Sequence, residues 1–126
     1  MSAEVQPTRD AKPLVALVCS VPLVNEAVSA ALAFAEVRSF AGRKDTTGLL
    51  KWLHPDAVVV DNDDDARDAS AFAQESGVPV LHISIHDRSL RLFREGLWQD
   101  VATAEGPTAE TIHNILAGSL FARAGR

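Results

Sequence analysis

One cysteine, Cys19, is the whole thiol content of this 126-residue chain. A single cysteine makes no internal disulfide, and it cannot build a zinc site from paired cysteines. That pattern suits a reducing, cytoplasmic setting. No apolar run approaches the ~18 residues of a membrane span, and the first residues carry no charged-then-apolar signal pattern. The sequence has no G-x-G-x-x-G and no P-loop lysine, which removes the usual cradles for dinucleotides and nucleoside triphosphates. It has no Ser-His-Asp motif context, no internal repeat at solenoid period and no extended low-complexity tract. Basic excess is also missing. The net charge is -5, whereas a nucleic-acid surface is normally basic, so no nucleic-acid partner is expected. What remains is 47% hydrophobic and 23% charged, an ordinary globular composition in one domain-sized length.

Residues 1–13 are polar, with Pro7 and Pro13, and read as a disordered tail; the domain is expected over 14–122, with 123–126 fraying. Leu14 to Val18 is a continuous apolar run ending at Cys19-Ser20, the first strand. Pro22 suits a first helical turn, and Val24, Val28, Leu32 and Ala35 recur at helical spacing. Glu36 to Phe40 alternates polar and apolar, as a strand near a sheet edge does. Asp45, Thr46 or Thr47 can cap a second helix bearing Leu49, Leu50 and Leu53, which ends at His54-Pro55. Ala57 to Val60 is a short buried strand that stops at Asp61-Asn62-Asp63-Asp64-Asp65. A third helix carries Ala66, Ala69, Phe72 and Ala73 and ends at Gly77. Its three leading acids suit a helix start. Val78 to Ile85 is the fourth strand.

The segment from Asp87 to Val101 admits two readings. Leu90, Phe93 and Leu97 can share one helical face. The favoured reading is a hairpin, because Arg94-Glu95-Gly96 puts glycine at a left-handed turn position and Trp98 follows in a strand-like run. Gly106-Pro107-Thr108 opens the last helix, with Ile112, Ile115, Leu116 and Leu120 on one stripe. Strand and helix in alternation imply an α/β fold: a doubly wound, five-stranded parallel sheet in the flavodoxin-like order 2-1-3-4-5, with a hairpin in place of the fourth helix if that reading holds.

Chemistry is then expected at the carboxyl ends of the strands, where such sheets bind ligands. Cys19 there precedes a helix, and a helix N-terminus favours a thiolate; a buried structural cysteine is the plainer reading. His82, Ser84 and His86 share a strand face, but no closed metal-ligand set forms and no metal or other cofactor is expected. Arg88, Arg91 and Arg94 make a local basic strip. The plainer reading is a solvated hairpin face; the alternative, with Phe93 and Trp98 as anchors, is a contact surface for an acidic protein partner, a second copy of the chain included, and the two aromatics can equally cover the sheet edge.

From Leu14 to Ala122 the chain resembles the receiver domain of bacterial response regulators. The likeness rests on Leu17-Val18-Cys19-Ser20-Val21-Pro22 for the first strand and its loop. Pro55 to Asp61 stands where receivers end in the phosphoacceptor aspartate, and Val78 to Ser84 where they end in serine or threonine. Val101-Ala102-Thr103-Ala104 takes the place of the last strand. The resemblance makes Asp61 the acceptor position and Cys19, Ser20, Ser84 and Thr103 the rest of the cleft. It also shows what has changed: Cys19 and Ser20 replace the acid pair that holds Mg²⁺, and Thr103 replaces the lysine that meets the phosphoryl group. The implied function is that of a pseudo-receiver, non-enzymatic, acting in signal transduction through protein contact. The alternatives are a small-molecule or enzymatic cleft built on Cys19, Asp61 and Ser84, and a receiver still phosphorylated on Asp61.

Overall fold

The computed structural model describes residues 13–40, 45–84, 87–101 and 108–124. Among the described residues ten elements follow in order: β1 (Leu14–Val18), α1 (Pro22–Ala31), β2 (Glu36–Phe40), α2 (Thr46–Leu53), β3 (Ala57–Val60), α3 (Asp63–Ser76), β4 (Val80–Ser84), β5 (Ser89–Arg94), β6 (Leu97–Val101) and α4 (Ala109–Ala124). They form one six-stranded sheet in the order β2-β1-β3-β4-β5-β6. β1 pairs in parallel with β2 and β3, and β3 with β4. β4–β5 and β5–β6 are antiparallel.

The α/β class is as expected, but the sheet is mixed and has six strands rather than five parallel ones. A two-residue turn at Glu95-Gly96 is the reason. Both residues have positive φ, 54° and 81°, the type I′ geometry that matches strand twist and folds β6 straight back on β5. The hairpin reading of this segment therefore holds. Of the last strand expected at Val101 to Ala104, only Val101 lies among the described residues, at the end of β6. Residues 102–107, like the tail at 1–12, lie outside the described residues.

Helices cover both sides of the sheet, and the strands read accordingly. On one side Leu17, Val59, Leu81 and Leu90 pack with Val24 and Val28 of α1 and Ile112 and Leu116 of α4. On the other, Val18, Val58, Val80 and Phe93 pack with Leu50 of α2 and Ala69 and Phe72 of α3. β3 is buried at all four positions because it is central and covered on both faces. β2 and β6 lie at the sheet edges, and each is only half-covered, with no fully buried position.

The ends of the elements follow local chemistry. The Asp45 side chain accepts from the Gly48 N–H at 3.0 Å to cap α2; a Cβ at position 48 would collide with that carboxylate. α2 stops on His54, left-handed at φ 54°, one residue before Pro55. Asp56 then ties β3 to β1. Its carboxylate accepts from the Leu14 N–H at 2.8 Å, and its own N–H donates to the Leu14 carbonyl at 2.7 Å. His113 of α4 meets the carbonyl of Ala31 at 2.9 Å, fixing α4 against the end of α1. Among the described residues no helix is long and apolar enough to cross a membrane.

Candidate functional site

Parallel β1 and β3 lie in register, with Val18 beside Val60, so the residues just beyond them, Cys19-Ser20-Val21 and Asp61-Asn62, meet at the carboxyl edge of the sheet. The helix that follows β1 begins with an unusual deficit. Its N-cap is Val21, which has no side-chain acceptor, and its first turn carries no acid. Asp61 supplies a negative charge at this end and takes the N–H groups of the two residues that lead into the helix. Its Oδ1 accepts from the Ser20 N–H at 2.9 Å and the Ser20 hydroxyl at 3.1 Å. Its Oδ2 accepts from the Val21 N–H at 2.8 Å. The Asn62 side-chain amide adds a contact to Oδ1 at 3.3 Å. The carboxylate thus holds the chain entering α1, at the end where the helix dipole favours a negative charge. Main-chain N–H groups therefore occupy both oxygens of Asp61.

Asn62 performs the same service for α3. Its Oδ1 accepts from the Asp65 N–H at 2.8 Å, and its amide donates to the Asp65 carboxylate at 2.7 Å. Asp65 also accepts from the buried Thr46 hydroxyl at 3.0 Å, so the starts of α2 and α3 are joined. Asp64 faces Arg67 at 3.5 Å on the exposed side of α3. The acidic run is therefore divided among a cap, a helix–helix tie and solvent.

Cys19 is 2% exposed and belongs to the core under α1. Its thiol points at the Val59 carbonyl, with Sγ 3.8 Å away. Burial pushes its pKa far above the ordinary thiol value, and the charges of Asp61 and Asp65 push the same way. It is a protonated core side chain, which removes the thiolate that nucleophilic chemistry needs. Ser84, at the end of β4, donates its hydroxyl to the Asp87 carboxylate at 3.2 Å and accepts from the Asp87 N–H at 3.3 Å. It closes the β4–β5 connection. Thr103 and His86 lie outside the described residues. Of the expected cleft, the structure therefore joins Ser20 directly to Asp61, sets Cys19 inward, and engages Ser84 elsewhere. Among the described residues no group of three or more His, Cys, Asp or Glu could hold a metal ion.

The arginine strip does not form as one surface. A spacing of three suits a helix; on a strand it alternates faces. Arg91 lies over the Trp98 ring, 5.0 Å from its centroid, with its Nε 3.6 Å from the Asp100 carboxylate. Arg94 falls on the opposite face, paired in register with Leu97. Arg88 sits in the β4–β5 turn with φ 55°. Phe93 is 5% exposed, within the core on the α2/α3 side, so its ring covers the sheet and is not displayed as a surface anchor. Trp98, half-buried, tilts against it with ring centroids 5.2 Å apart.

His82 is the residue whose environment the sequence conceals. It is 6% exposed on β4. Its ring meets Trp98 edge-on at 6.1 Å. Nε2 is 3.8 Å from the exposed Asp63 carboxylate, and Nδ1 is buried with no partner among the described residues. Desolvation lowers its pKa. Asp63, Asp61 and Asp87 oppose that shift, and Arg91 reinforces it. The unfolded chain therefore binds a proton near pH 6.5 while the folded chain still resists it. Stability is full above that value and falls as pH drops through it toward the lowered folded pKa. His82→Leu is expected to raise stability by about 1 kcal/mol at pH 7, since it removes a buried, unpaired ring nitrogen. The gain is expected to widen at pH 5. Urea unfolding at the two pH values checks this; an unchanged gap between variant and wild type would refute it.

Compared with family models, curated proteins and solved structures, the chain has no match to any of the three.

Proposed function

We propose that this domain is a pseudo-receiver: a receiver-like signalling module that works by contact with other protein and not by Mg²⁺-dependent aspartyl phosphorylation. The observation that carries this reading is the state of Asp61. A phosphoacceptor needs one carboxylate oxygen free to attack and the other on a cation that draws charge from the phosphoryl group. Here Oδ1 holds the Ser20 N–H and hydroxyl, and Oδ2 holds the Val21 N–H. Cys19 and Ser20 stand where receivers carry acids. The residues that would make a small-molecule or catalytic cleft are engaged otherwise, Cys19 in the core and Ser84 with Asp87. The β5–β6 hairpin lies where receivers carry their fourth helix, so the contact surface differs from theirs. A cytoplasmic site of action fits a chain whose one thiol is free.

Incubation with acetyl phosphate and Mg²⁺, followed by rapid intact-mass measurement, tests the proposal. No phosphoryl adduct is expected. An adduct that is lost in Asp61→Asn would overturn it.

A further inference from the structure

We infer that β6 is a self-pairing edge, and that two copies of this chain join through it in antiparallel register about a two-fold axis at Gln99. The inference rests on the reading that the domain acts by protein contact, and it names the partner and the strand.

The two sheet edges differ. β2 presents Glu36 and Arg38, joined to each other at 2.8 Å, the kind of charged edge that discourages pairing. β6 reads Leu97-Trp98-Gln99-Asp100-Val101, with a single charge, no proline and no lysine. Among the described residues nothing pairs with its outer side. Leu97 is 64% exposed there.

The hairpin fixes which groups face outward. Arg94 and Leu97 flank the two-residue turn and pair in register, so the turn's own hydrogen bond runs between them. Pairs then alternate along an antiparallel ladder. Leu92↔Gln99 and Leu90↔Val101 are hydrogen-bonded pairs, and the main-chain N–H and C=O groups of Trp98 and Asp100 point away from β5. A two-fold axis at Gln99 sets Trp98 of each copy opposite Asp100 of the other. All the outward groups of both residues are then paired. No other antiparallel self-register centred within β6 does this for both.

The side chains agree with that register. Leu97 falls opposite Val101, covering the exposed leucine. Asp100 of the second copy arrives beside Trp98, whose ring carries Arg91, so the acid approaches a cation and no like charges are set directly opposite. The sheet becomes continuous across both copies.

Sedimentation velocity over a range up to about 1 mM chain reads this directly, a strand-edge contact being weak. A concentration-dependent dimer is expected. Asp100→Pro removes an N–H that the β5–β6 ladder does not use, so the monomer fold is expected to persist by circular dichroism while dimer affinity falls roughly tenfold or more. Gln99→Lys, which opposes two cations across the axis, is expected to weaken it likewise. A monomer throughout the range, or a dimer indifferent to both substitutions, would overturn the inference. Neither result bears on the acetyl phosphate experiment, so the two readings fail separately.

Discussion

Replacing Phe93 by alanine is expected to lower the stability of the fold by about 3–4 kcal/mol. The side chain is buried on the α2/α3 side of the sheet, in the same cluster as Val80, its register neighbour on β4, and Phe72 of α3. Its ring also supports Trp98. Deleting it opens a cavity between α3 and the hairpin that neither element can collapse into, because β5 is held on both sides by ladders. Phe93→Leu keeps most of the volume and is expected to cost about 1 kcal/mol. Thermal or urea unfolding of the two variants checks the order. A stable Phe93→Ala protein with normal unfolding would mean that the side chain serves a partner and not the core.

The second large effect is at Asp61. Asp61→Ala is expected to cost about 2 kcal/mol, from the loss of a charged acceptor shared by two main-chain N–H groups at the start of α1. Both donors are solvent-exposed, which keeps the cost below that of a buried loss. Asp61→Asn retains one acceptor oxygen but sets its amide against an N–H, so about half the effect is expected there. Here the carboxylate braces the chain entering α1. Urea unfolding of Asp61→Ala reads the sign of the change; an unchanged or raised stability would contradict this role.

Much of this arrangement is legible from residues alone because it is local. Pro22, Gly77, His54-Pro55 and Glu95-Gly96 act through their own backbone preferences, and each marks an end or turn that the structure keeps. The apolar runs at Leu14 and Ala57 identify central strands for the same reason. The site is less legible because its partners are distant in sequence. Asp61 reads as an acceptor from the receiver resemblance, yet its oxygens are taken by the main-chain N–H groups of Ser20 and Val21, forty residues earlier. Phe93 and the arginines misled for a related reason: on a hairpin, residues 91 and 93 share a face and 94 does not, so neither the strip nor the anchor survives the change of period. His82 gave no signal, since nothing in Leu81-His82-Ile83 tells which face Trp98 will cover.

The most direct test of the account is hydrogen exchange at the Ser20 and Val21 amides, followed by NMR in wild type and Asp61→Ala. Both residues are exposed, so any protection there reports the bonds to Asp61 and not burial. The account predicts exchange slowed roughly tenfold or more in the wild-type protein, with free-peptide rates restored by the substitution. Free-peptide rates at both amides in the wild type would contradict it, and would return Asp61 to the pool of unengaged carboxylates.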